Sequence, residues 1–207
     1  MKSLLLLLVI ALVSSESNLR NLGFNYNCEK TFVIKSISAL GSTLTFKERV
    51  GVKNGKAFCQ LITSSNTGTS TFGNAGASSA FSKTYSVNAN LMKFKFPPLP
   101  SLEILLKGSG SINSSVKESS GKLILTLTGS LYAKGDITNG LSSVASVNLS
   151  TKGTIITINH TFTINSSNQI TRSGNVSGGT VSLVAEGKLL NKTVFKKTQT
   201  LWNGWSA

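Results

Sequence analysis

Residues 122–134 read KLILTLTGSLYAK, and the phase of this stretch decides the fold. Leu123, Leu125, Leu127, Leu131 and Ala133 fall on odd positions, with Lys122, Thr126, Thr128, Ser130 and Lys134 on even ones. Apolar side chains recurring every second residue belong to a β-strand with one buried face, because helices repeat every 3.6 residues. The same alternation spreads outward along the chain. Ala145, Val147 and Leu149 oppose Ser146, Asn148 and Ser150. Ile156, Ile158, His160, Phe162 and Ile164 oppose Thr157, Asn159, Thr161 and Thr163. Val181, Leu183 and Ala185 mark a further strand, and residues 192–201 a last one. Turn signals separate these runs at 135–140, Lys152-Gly153, 165–168 and 177–179.

Towards the N-terminus, Leu44, Phe46 and Val50 alternate with Thr43, Thr45, Lys47 and Arg49. Asn54-Gly55 then predicts a hairpin onto residues 56–63, since that pair accepts the positive φ angles of a type I′ turn. The Ser/Thr/Gly/Asn-rich stretch 64–82 reads as a mobile loop or as two weak strands around Phe72 and Phe81. Phe96-Pro97-Pro98-Leu99-Pro100 is a rigid break, because proline gives no donor to a sheet. It divides an N-terminal hairpin region, 18–96, from a C-terminal meander, 97–207, within one continuous domain, 18–207. No stretch past the N-terminus holds a helical period. The fold expected is all-β: an antiparallel meander forming a barrel, half-barrel or two-sheet sandwich.

Lys2 followed by an unbroken apolar run from Leu4 to Val13 and then Ser14, Ser15, Glu16 and Ser17 has the form of a secretory signal peptide, 1–17. The run is too short to cross a bilayer, which needs about twenty residues. A buried strand or helix is the alternative. Secretion, or residence in a secretory organelle, is therefore expected, without a transmembrane segment. Six N-x-Ser/Thr sequons, at Asn113, Asn148, Asn159, Asn165, Asn175 and Asn191, agree with that compartment, and at least three are expected to carry glycan. Cys28 and Cys59 are the only cysteines, and an oxidising compartment predicts one disulfide between them. Two free thiols or a redox pair are the rival reading.

Composition narrows the chemistry. The chain has 207 residues, 40% of them apolar and 14% charged, enough for a core and too few charges for a coiled coil or disordered tail. Serine and threonine make up roughly a quarter, which suits strands better than helices. Its single histidine, His160, rules out metal sites built on several imidazoles. His160 lies on an apolar face between Ile158 and Phe162, as a core or cavity histidine with one hydrogen-bonded partner. Glu29, Glu48, Glu103, Glu118, Asp136 and Glu186 are scattered, so a carboxylate pair for glycoside hydrolysis exists only if folding assembles one. No nucleophile elbow, zinc-protease, phosphate-loop or EF-hand pattern is present. We expect no catalytic residues, no metal and no cofactor.

Eighteen lysines and three arginines, Arg20, Arg49 and Arg172, give a net charge of +14. Lysines alternating with apolar residues, as in Lys93-Phe94-Lys95, mark a solvated sheet face, or a surface drawn to an acidic glycan or anionic lipid. Nucleic acid is not expected, for want of a basic and aromatic stacking motif. Trp202-Asn203-Gly204-Trp205 is similar to the W-x-x-W acceptor pattern for C-mannosylation. A tryptophan clamp on the sheet, or sugar or lipid stacking, are its other readings. Long alternating strands resemble lipocalin-like and other lipid-carrying sheets in architecture alone, which transfers no function.

Three functions follow as expectations. The first is a non-enzymatic binding protein that holds an amphiphilic small molecule or contacts an anionic surface. His160, Ile158, Phe162, Leu125 and Leu127 would line its cavity. The second is a self-associating component of a matrix, coat or secretory granule. The third is a glycan or lipid hydrolase.

Overall fold

The computed structural model describes residues 26–39, 42–89, 102–140 and 145–206. The expected signal peptide and the Pro97–Pro100 break lie outside them. Alternation in the sequence becomes alternation in burial. In β7 (Lys122–Gly140), Leu123, Leu125, Leu127 and Leu131 are fully buried while the residues between them reach the surface. Burying a side chain of this size contributes about 1.5–3 kcal/mol, which is what holds each strand's phase in place.

Two antiparallel sheets result. β1 (Cys28–Ala39), β2 (Ser42–Lys53), β3 (Lys56–Ser65) and β4 (Gly68–Phe72) form the smaller one in chain order. The larger is built on β5 (Ser78–Ala89), β6 (Leu102–Ser119), β7 and β8 (Ala145–Ile164). The first half of β8 pairs with β10 (Val181–Leu189), which pairs in turn with β11 (Lys192–Trp202). Its second half pairs with β9 (Ile170–Gly178), which takes β12 (Trp205–Ser206) on its far edge. Neither sheet closes on itself. The all-β antiparallel expectation holds, in its two-sheet form.

One core joins the sheets. Leu44, Phe46, Val50 and Leu61 of the small sheet belong to the same buried cluster as Leu123, Leu125, Leu127, Ile158 and Phe162 of the large one. Among the described residues no helix is long and apolar enough to cross a membrane.

Among the described residues, three two-residue turns carry positive φ at both positions, as type I′ hairpins require. They are Asn54-Gly55, Ser120-Gly121 and Leu190-Asn191. The first is the hairpin expected from the sequence. Several other punctuation marks read differently in three dimensions. Stretch 64–82 contains β4 and the start of β5, with Phe72 stacked on Phe81 at 4.2 Å between ring centroids. The division between sheets falls between Phe72 and Ser78, earlier than the proline break, so β5 belongs to the large sheet. Residues 135–140 continue β7 instead of turning, paired with 146–151 of β8.

Lys152-Gly153 is not a turn either. It lies within β8, a single strand of twenty residues. The ladder with β7 slips where Leu131 pairs with Ile156 and Tyr132 with Thr154, leaving Ile155 as an extra, buried residue. Such a bulge shifts the inward phase by one residue. Thr151 points inward before it, and Ile156, Ile158 and His160 point inward after it. Gly153 sits there at φ +138°, and a side chain would run into the Thr180 carbonyl.

Candidate functional site

Among the described residues, a carboxylate, an imidazole and a guanidinium occupy inward positions on three strands. Glu48 follows Leu44 and Phe46 on the buried phase of β2 and precedes Val50. His160 has the same phase on β8 as Ile158 and Phe162, and Arg172 lies on the inward phase of β9 between Ile170 and Val176. Charged groups taken out of water must find partners, and these find one another. His160 Nδ1 lies 2.6 Å from Glu48 Oε1, and Arg172 Nη1 donates to Glu48 Oε2 at 3.2 Å. Both of the Glu48 carboxylate oxygens are thus engaged. The Glu48 side chain is fully buried and that of His160 is 3% exposed, whereas Arg172 reaches the surface at 24%.

Aromatic rings wall the cluster. Phe32 is the cross-strand partner of Glu48 on β1. Its ring centroid lies 5.6 Å from that of Phe162 and carries the Arg172 guanidinium at 5.1 Å. Lys30 Nζ lies 4.8 Å from the same ring, and Phe162 meets the His160 ring edge-on at 6.1 Å. A cation over an aromatic face adds attraction that grows with desolvation. The result ties β2 of one sheet to β8 and β9 of the other. A histidine held by a carboxylate has the composition of a general base. Here the imidazole and carboxylate are both almost wholly buried among core side chains. The described residues hold no group of three or more His, Cys, Asp or Glu side chains able to bind a metal.

Histidine with one hydrogen-bonded partner is the reading the sequence favoured; its partner was not foreseen. The five side chains expected to line a ligand cavity all lie in the interior. Leu125, Leu127, Ile158, Phe162 and His160 are 0–2% exposed. The four apolar ones belong to one buried cluster with the small sheet's side chains. An open polar groove of about 500 Å³ lies instead at the seam of β1 and β9, lined by Glu29, Lys30 and residues 168–171.

The expected disulfide is not formed: both cysteines are free thiols. Cys28 pairs with Val52 of β2, and Cys59 with Val50 on the other side of β2. Two strand spacings, about 9.5 Å, and a stagger of two residues therefore separate them, beyond the Cα distance of about 7 Å that a disulfide spans. Burial, with the Glu48 charge nearby, pushes the Cys59 thiol up to about 12. Burial also raises Cys28, which is only partly covered. Thiolate is the reactive form, so Cys59 should resist alkylation of the native protein at mildly alkaline pH while Cys28 labels. Unfolding in denaturant without reductant should then bring the total to two labels per chain. Recovering none would restore the disulfide.

Among the remaining carboxylates, Glu29 receives a fork from Arg49, with Nε and Nη2 each 2.6 Å from an oxygen, which holds it below the usual carboxylate range. Glu186 accepts from the Thr193 hydroxyl at 2.6 Å and is held down by that bond and by Lys188 and Lys196. Exposed lysines such as Lys35, Lys53, Lys117, Lys122, Lys152 and Lys192 spread across the rest of the surface.

Sequon asparagines cluster on the outside of the large sheet. Asn113, Thr128, Asn159 and Asn175 form one transverse row across β6, β7, β8 and β9. Ser111, Ser130, Thr157 and Ser177 make the row on one side, and Ser115, Thr126, Thr161 and Ser173 the row on the other. These twelve positions bear no charge. Asn148 also points outward and Asn191 sits at a hairpin apex. Asn165 differs: its Oδ1 accepts from the Ser167 and Gln169 amides and its Nδ2 donates to the Gln169 side chain, closing the β8–β9 turn. The backbone of Trp202 pairs with Val181 and that of Trp205 with Gly178, while their side chains lie outside the description. No protein family, curated protein or solved structure matches this chain.

Proposed function

We propose that this chain is a secreted, glycosylated, basic β-sheet protein that binds an anionic surface and carries no catalytic site. One observation carries the reading: Glu29, Glu48 and Glu186 are each held by partners within the fold, while exposed lysines such as Lys35, Lys53, Lys117, Lys122, Lys152 and Lys192 far outnumber exposed carboxylates among the described residues. Such a surface keeps a long-range positive field, which draws polyanions and weakens as salt screens it. The packed interior favours a surface contact over an enclosed amphiphile. Secretion rests on the apolar run after Lys2, and outward placement of Asn113, Asn148, Asn159 and Asn175 leaves room for glycans.

The test uses the full secreted chain on phosphatidylserine-containing vesicles and on a sulfated-glycan resin, each against a neutral counterpart. Retention on at least one anionic surface, falling steeply as salt rises, is the expected result. Equal retention on neutral and anionic surfaces would overturn the reading.

A self-associating structural component is the second reading, favoured by the uncharged rows on the large sheet. Two copies of a chain this basic meet with least repulsion through an uncharged face. Mass spectrometry and sedimentation decide between the two. Glycan on Asn113, Asn159 or Asn175 together with a monomer supports the first reading; bare asparagines and concentration-dependent assembly support the second.

A further inference from the structure

Five large apolar side chains stand exposed among the described residues, and three of them lie on the β10–β11 hairpin. Leu189 is 48% exposed, Leu190 69% and Val194 50%. The ladder explains Val194: Lys188 pairs with Thr193 and Gly187 with Phe195, so Val194 is the extra residue of a bulge and is turned out. Leu190 needs another explanation. It holds the first turn position at φ +48°, where Asn or Gly is the usual residue. A bulky side chain in this region carries conformational strain, and strain at an exposed tip calls for a use.

Charge surrounds this apolar tip. The two strands carry Lys188, Lys192, Lys196 and Lys197 against one carboxylate, Glu186, which accepts from the Thr193 hydroxyl and lies 3.9 Å from Lys188 Nζ. Lys192 is the cross-strand partner of Leu189, and Lys188 directly precedes it. An apolar tip with a lysine collar has the chemistry of a bilayer interface. Leucines enter the acyl boundary, while lysine stems follow them and leave their ammonium groups at anionic headgroups. An acidic polysaccharide would use the lysines and leave Leu189, Leu190 and Val194 in water.

We infer that the β10–β11 hairpin is a membrane-docking wedge, inserting Leu189 and Leu190 into a bilayer of anionic lipid. The inference rests on the anionic-surface reading and names its partner and its site. It also requires Asn191, at the apex between Leu190 and Lys192, to be free of glycan.

The experiment is co-sedimentation of the full chain with neutral phosphatidylcholine vesicles and with vesicles containing phosphatidylserine. Leu190→Gly relieves the backbone strain, so it keeps the fold and isolates the side chain's contribution. Wild type should pellet with the anionic vesicles, and L190G, or Leu189→Ser with L190G, should partition at least about tenfold more weakly. The pair K188Q and K192Q should weaken binding and flatten its salt dependence. Equal partitioning of L190G and wild type on anionic vesicles overturns the wedge and leaves the anionic-surface reading standing. Retention on the sulfated resin without vesicle binding does the same and assigns the lysines to a glycan. No retention on any anionic surface ends the parent reading instead. Peptide mapping of secreted protein should find Asn191 bare; full occupancy there also overturns the wedge.

Discussion

Glu48→Ala is expected to lower the unfolding free energy by about 3–5 kcal/mol, the range for removing one partner from a buried ion pair. The carboxylate is fully buried and serves His160 with one oxygen and Arg172 with the other. Its loss leaves a polar imidazole in an apolar core and strips Arg172 of its inward anchor. Thermal denaturation reads the effect at roughly 2–4 °C per kcal/mol for a chain of this size. Glu48→Gln, which keeps the shape and one acceptor, should cost less. Replacing Glu48, His160 and Arg172 together by apolar residues of similar volume should be the mildest change, because no charge is then left unpaired. A loss below about 1 kcal/mol for E48A would show that the three side chains do not depend on one another.

Much of this cluster could be read from phase alone. Glu48 falls on the apolar positions of its strand, between Phe46 and Val50, just as His160 falls between Ile158 and Phe162. Ionisable residues at buried positions on separate strands are expected to meet, since a buried charge must be satisfied. In sequence, His160 stands out as the single histidine, whereas Glu48 is one of several scattered carboxylates. Arg172 was harder to see. Its strand, ITRSGNVSG, keeps only Ile170 and Val176 as apolar markers, with glycine at Gly174 on the same phase. Phe32 has the same difficulty, because its role needs β1 to lie over β9, a contact between sheets that periodicity does not encode.

The strands themselves were legible because burial fixes phase and phase shows as a period of two. Their ends were less so. The inward positions change parity between Thr151 and Ile156, and with glycine in between this reads as a turn. A bulge produces the same change of parity without ending the strand. The cysteine pairing failed for a related reason: compartment and count say that two thiols could bond, but only register places β2 between them. Leu190-Asn191 lacked the glycine that marks Asn54-Gly55, so its hairpin was visible only through the strands on either side.

Phe162→Ala should cost a further about 3–5 kcal/mol through a different mechanism, the cavity left by a fully buried ring. Phe162 is 0% exposed and meets Phe32 on one side and His160 on the other. Cross-strand from Arg172 on β9, it stands where the small sheet's edge closes over the large sheet. Leucine there keeps most of the volume and should cost about 1–2 kcal/mol. The same variant tests whether the interior is filling or a ligand chamber. A dry apolar cavity of this kind binds small apolar molecules such as benzene. Benzene should therefore raise the melting temperature of F162A and leave wild type unchanged, since a ligand stabilises only the state that has room for it. Equal stabilisation of both proteins would mean that the native core already holds a cavity, and the binding function would move from the lysine-rich surface to the space between the sheets.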